Sequence, residues 1–214
     1  DSHIASLAAA RSARETRSAA IPRGMGTREA LVSAISARLG EAVSAARGAV
    51  VAATPSADTP APPSCTFVAA VVDGTLAVVG NVGDSRAYWL PDNPSSTPVQ
   101  LTHDDSYAAE QIREGVPRKE AETGPQAHAI TRWLGVDSPD DISPHTAAID
   151  LAEPGWLLVC SDGLWNYSSA PSDLRDVVTR SVAALGERGR DPLALAGALV
   201  DFANASGGID NITA

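Results

Sequence analysis

The sequence predicts an α+β fold, a block of short strands framed by helices, and three observations carry that prediction. Apolar residues recur at helical spacing near both ends of the chain. The strand-like runs between them are grouped and joined by turn signals, instead of alternating singly with helices as a doubly wound parallel sheet requires. With 44% hydrophobic and 20% charged residues, 214 residues suffice for one sizeable core. A single domain over 1–214 is expected. The chain opens on Asp1 and stops at Ala214 as an apolar run begins, so truncation at both ends is expected too.

The first helix starts near Ser2 with Ile4, Leu7 and Arg11 on one side, and residues 22–26, with Pro22 and Gly26, separate it from the second. Thr27 is positioned to cap that second helix, in which Leu31, Ile35, Leu39, Val43 and Ala46 form one apolar stripe. Residues 54–64 (TPSADTPAPPS) hold four prolines and fit neither helix nor central strand, so they form an internal surface loop.

Strands follow. CTFVAAVV (65–72) and TLAVVGNV (75–82) flank Asp73-Gly74, a strong hairpin signal. RAYWL (86–90), reached through the Gly83-Asp84-Ser85 corner, extends this to a meander, and a Pro/Ser-rich loop spans 91–98. A short helix is expected at 106–114. HTAAIDL (145–151), the turn AEPG and WLLVC (156–160) read as a second hairpin. Helices over 172–185 and 192–204 close the chain, the latter with Asp191 as cap and Pro192 in its first turn.

Charge narrows the function. A formal net charge of −10 and no basic cluster argue against nucleic acid and anionic membranes as partners. No apolar run reaches the roughly 20 residues that span a bilayer, and no signal-peptide pattern is present. Cys65 and Cys160 lie in apolar runs without metal-type spacing, as in a reducing, cytoplasmic setting. The alanine, arginine and proline content is that of a high-GC bacterial genome.

Two acids draw attention. Asp162 leaves the end of the apolar run 156–160 in Ser161-Asp162-Gly163, and Asp210 sits in a Gly207-Gly208-Ile209-Asp210-Asn211 turn. Each alone is explained as a turn former. Together, at neighbouring strand ends, they would repel unless a cation such as Mg²⁺ or Mn²⁺ lay between them. His103, His128 and His145 lack ligand spacing and read as surface or locally hydrogen-bonded residues, and Trp89, Trp133, Trp156 and Trp165 as packing residues.

At this point GDSRAY (83–88), LTHDDS (101–106), ITRWLG (130–135), SDGLW (161–165) and GIDNIT (208–213) stand in the order found in metal-dependent protein phosphatases of the 2C type. The chain resembles that family, in its bacterial serine/threonine form, over about residues 65–213. The resemblance implies a four-layer α-β-β-α sandwich of two antiparallel sheets flanked by helices. It implies two Mn²⁺ or Mg²⁺ ions held by Asp162 and Asp210, with Gly163 and Asn211 beside them, and Asp104 serving a weaker third ion, a role that Asn166 puts in question. A metal-activated water would then hydrolyse phosphoserine and phosphothreonine without a covalent enzyme intermediate. Phosphorylated proteins are the implied partners, with a serine/threonine kinase or its substrates among them. Asp84 and Arg86 are expected to be structural, fixing their corner through hydrogen bonds or an ion pair.

The family's early arginine, Glu-Asp pair and bridging Asp-Gly have no counterpart here. Arg23-Gly24-Met25-Gly26 has arginine where a ligand belongs, and Asp73-Gly74 is accounted for by its hairpin. They are expected upstream, and this piece alone is expected to be inactive or poorly folded. Two alternatives therefore stay open. One is a catalytically inactive, phosphatase-like regulatory or phosphoprotein-binding domain. The other is a metal-independent module whose loop acids only shape turns.

Overall fold

The computed structural model describes residues 2–17, 26–56, 59–127 and 129–214. The stretch from 22 to 25 and His128 lie outside the described residues. In chain order the elements are α1 (Ser2–Arg17), α2 (Arg28–Ala52), β1 (Phe67–Asp73), β2 (Leu76–Val82), β3 (Arg86–Pro91), β4 (Val99–Gln100), α3 (Tyr107–Arg113), α4 (Arg118–Thr123), β5 (His145–Asp150), β6 (Gly155–Cys160), α5 (Asp162–Trp165), α6 (Pro171–Leu185), a 3₁₀ turn (Gly186–Arg190) and α7 (Pro192–Ala205). Two antiparallel three-stranded sheets result, ordered β1-β2-β5 and β4-β3-β6.

The helices cover the outer faces. Thr27 Oγ1 accepts the Ala30 N–H at 3.2 Å, and α2 buries Ile35, Leu39, Ala42, Val43, Ala46 and Val50. Ile35 and Leu39 pack on Val71, Leu76 and Val78 of the first sheet. On the second sheet, Tyr88, Leu90 and Cys160 pack against Leu174, Val177 and Val178 of α6 and Leu195 and Leu199 of α7. Strand alternation then turns the buried Ala77, Val79, Ala87 and Trp89 toward the space between the sheets. The helix–sheet–sheet–helix layering agrees with expectation. Among the described residues, no helix is long and apolar enough to cross a membrane.

Three local expectations need correction. The β1–β2 hairpin pairs Asp73 with Leu76, so its two-residue loop is Gly74-Thr75, not Asp73-Gly74. Gly74, at φ +61°, supplies the positive φ that the first position of such a loop requires. There is no meander, because the Gly83–Ser85 corner carries the chain into the other sheet, where β3 pairs with β4 and β6. Likewise β5 and β6 are not a hairpin. β5 pairs with β2 and β6 with β3, and the link between them is tied to both sheets by Leu151 N→Thr75 O (2.6 Å) and Asp92 N→Pro154 O (3.0 Å). Crossing between sheets gives each central strand, β2 and β3, partners on both edges and buries both completely.

α1 also presents a different face from the one its large residues mark. Ala5, Ala9 and Ala13 are buried against Ala42, Val43 and Ala46 of α2, whereas Ile4 and Leu7 are half exposed. Small side chains let the two helix backbones approach closely.

Candidate metal centre

The corner between β2 and β3 delivers the first acid. Gly83 has φ +96°, and a Cβ there would run into the Thr66 methyl group, so glycine is required twice over. Ser85 Oγ hydrogen-bonds Thr66 Oγ1 at 2.7 Å, and the buried Trp165 Nε1–H donates to the Asp84 carbonyl at 3.0 Å. Asp84 is thereby held at 8% exposure. Burial pushes its carboxyl up to about 7, and the charges of Asp162 and Asp104 add to the effect.

The second and third acids come from two stretches in backbone contact. Asp162 opens α5 directly after β6. Ser161 Oγ donates to the Asn211 carbonyl at 2.9 Å and accepts from Thr213 N at 3.0 Å, and Ser161 N donates to Thr213 O at 3.1 Å. Gly163 seals the junction, since a Cβ there would run into the Asn211 carbonyl. Asp210, one residue before that carbonyl, is exposed, and its Oδ1 accepts the Asn211 N–H at 2.6 Å. The fold thus brings the two segments that carry Asp162 and Asp210 side by side and sets the buried Asp84 within the field of Asp162.

Asp104, which the motif assigns to a weaker third ion, is held here by an arginine and an amide. Its Oδ2 accepts from Arg86 Nε (2.8 Å) and Nη2 (2.6 Å), and its Oδ1 accepts from Gln100 Nε2 (2.9 Å). Arg86 is therefore the partner of Asp104 and not of Asp84. Burial pushes the Asp104 carboxyl up, against the pull of Arg86. The guanidinium also donates to Tyr88 Oη at 3.1 Å and Glu122 Oε1 at 3.0 Å, and lies 3.5 Å from the Trp165 ring centroid. Arg118 and Ser169 complete the pairing of Glu122 at 2.8 and 2.6 Å. With both oxygens of Asp104 engaged, Asp84 is the buried acid outside that ion pair, and the charge of Asp162 helps to hold its carboxyl up.

The donor chemistry fits a hard divalent cation, being carboxylate oxygen throughout. Among the described residues, no group of three or more His, Cys, Asp or Glu side chains could hold an ion by itself. Mg²⁺ commonly keeps several waters and takes one or two carboxylates together with substrate phosphates, so a sparse acid set matches such an ion. A cleft of about 250 Å³ is lined by Arg86, Asp104, Glu122, Trp165, Arg113 and Arg118 among others.

Sequence reasoning passed over two features of this region. Glu122 lies on α4, a helix too short for a clear periodic signal. Asp105 forms a cluster with Arg132 and His145, and its only trace in the sequence is the doubled acid of LTHDDS. His145 proves locally bonded, its Nε2 2.8 Å from Asp105 Oδ1, and His103 is an exposed residue whose ring meets that of His145 edge-on at 5.0 Å between centroids.

The comparisons with known proteins agree with this fold. The family model described as "Protein phosphatase 2C" matches residues 1–202. A serine/threonine phosphatase, stp, of Listeria welshimeri serovar 6b is 34% identical over 149 residues, 69% of this chain and 54% of that protein, so the chain spans about half the length of that relative. The Mycobacterium tuberculosis serine/threonine phosphatase PstP/Ppp superposes with a TM-score of 0.74 at 24% identity, covering 99% of this chain and 79% of that one. A PstP catalytic domain in complex with two manganese ions superposes with a TM-score of 0.69 at 23% identity, covering 99% and 78%. A family model spanning nearly the whole chain, met by the same layered fold and the same ordered motifs, means that this chain belongs to the protein phosphatase 2C family.

Proposed function

We propose that the chain is part of a metal-dependent protein serine/threonine phosphatase whose divalent ions are held through Asp162 and Asp210, with Asp84 rather than Asp104 serving an additional ion. The observation that carries this reading is the junction sealed by Gly163, where the segments of Asp162 and Asp210 meet while Asp84 stands buried against the charge of Asp162. Uncompensated, such acids repel, and a cation removes the conflict. Mn²⁺ or Mg²⁺ bound there would supply Lewis acidity and an acidified water for attack on a phosphate monoester.

The chain's own residues do the holding. Ser161 and Thr213 lock the two acid-bearing segments together, Trp165 fixes the Asp84 carbonyl, and Gly163 with Asn211 keeps the junction tight. Arg86, neutralised by Asp104 and Glu122, forms a rigid charged floor instead of a substrate contact. The similarity to stp, named a serine/threonine phosphatase, and to a PstP structure with two manganese ions supports both the reaction and the ions. Phosphorylated proteins are the substrates in this reading, a serine/threonine kinase the opposing activity, and the cytoplasm the setting.

Mn²⁺-dependent hydrolysis of a phosphothreonine peptide by the full-length protein tests the proposal. Asp162→Ala and Asp210→Ala should each lower turnover by about 10²-fold or more, the scale of losing one preorganised electrostatic group. Unchanged turnover in both variants would overturn it.

A further inference from the structure

The corner that presents Asp84 is clamped by one side chain outside the acid cluster. Asp105 Oδ2 accepts the Gly83 N–H at 2.9 Å, while Asp105 N donates to the Gly83 carbonyl at 3.0 Å. This two-way clamp grips the peptide unit immediately before Asp84. The Asp105 carboxylate is 6% exposed and is itself braced. Its Oδ1 lies 2.8 Å from His145 Nε2 at the start of β5 and 3.3 Å from Arg132 Nη1. Arg132 is anchored in turn by the carbonyls of Asp141 and Ser143. Asn81 Nδ2 adds a hydrogen bond to the Gly83 carbonyl at 3.1 Å.

We propose that Asp105, braced by Arg132 and His145, is a positioning residue for Asp84: through Gly83 it fixes the backbone that presents the Asp84 carboxylate. The proposal rests on the reading of Asp84 and Asp162 as ion-binding acids. Gly83 needs this hold because φ near +96° in a residue without a side chain leaves many other conformations open. A neutral amide at position 105 cannot replace the carboxylate. Its oxygen could still accept from Gly83, but its NH₂ would then face the Arg132 guanidinium, which can only donate.

Mn²⁺ titration calorimetry on the full-length protein with a four-variant cycle separates positioning from general support. Asp105→Ala should weaken Mn²⁺ binding by about tenfold in the parent, a coupling of about 1.4 kcal/mol, and change nothing further in an Asp84→Asn background. Equal weakening in both backgrounds would overturn the proposal. Asp105→Asn should behave like Asp105→Ala, and full rescue by it would count equally against the argument. Exchange of the Gly83 amide, followed by NMR without metal, tests the clamp itself: about tenfold faster exchange is expected in Asp105→Ala, and unchanged protection would refute it. If Asp105→Ala does not fold, His145→Ala removes one brace from a partly exposed position and should accelerate Gly83 exchange more modestly. A parent chain that binds no Mn²⁺ would count against the metal reading, whereas the Gly83 exchange would still decide the clamp.

Discussion

Gly163 shows how one missing methyl group organises the acid-bearing loops. Its backbone sits against the Asn211 carbonyl, and a side chain there would push the segments of Asp162 and Asp210 apart. Gly163→Ala should therefore weaken Mn²⁺ binding, measured by calorimetry, by about tenfold or more while leaving both acids in place; affinity equal to the parent would contradict it. Arg86 makes the opposite kind of prediction. Arg86→Met would strand the buried Asp104 without its cation, leaving Glu122 to Arg118 alone, at a cost of about 3–5 kcal/mol in urea denaturation. Motif spacing reveals that Asp84, Asp104 and Asp162 lie at strand ends, but not which of them takes the arginine. That choice is set by the route of the chain after β4, which brings Asp104 onto Arg86.

At the scale of elements, the pairing of α1 with α2 depends on smallness. Ala9→Leu should overpack the contact and cost about 1–3 kcal/mol, whereas Leu7→Gln, on the half-exposed face, should change stability by no more than about 0.5 kcal/mol in thermal or urea unfolding. Reading the helix by its largest apolar residues selects the wrong face, because an alanine stripe gives little hydrophobic contrast but allows the closest backbone approach. The stripe of α2 is legible for the converse reason, since its Ile and Leu spacing coincides with burial. Strands followed the same division. Their positions are visible in runs of β-branched residues, while their partners are not, since crossing from one sheet to the other depends on contacts distant in sequence.

Across the whole molecule, the fold places Asp84 after the end of β2, Asp162 after the end of β6, and Asp210 in the segment after α7, which is bonded to Ser161. An overall charge of −10 adds a long-range attraction for divalent cations, which salt would screen. The layered architecture was legible from the grouping of strands between helices, and the acids from their place after apolar runs. Their meeting point follows only from the assembled sandwich. Crystals of the chain soaked in Mn²⁺ and measured at the manganese absorption edge test that meeting point directly. The account predicts an anomalous peak within about 2.0–2.6 Å of carboxylate oxygens of Asp162 and Asp210, the range of hard-cation bonds. Peaks elsewhere, with both carboxylates left uncoordinated at saturating metal, would contradict it.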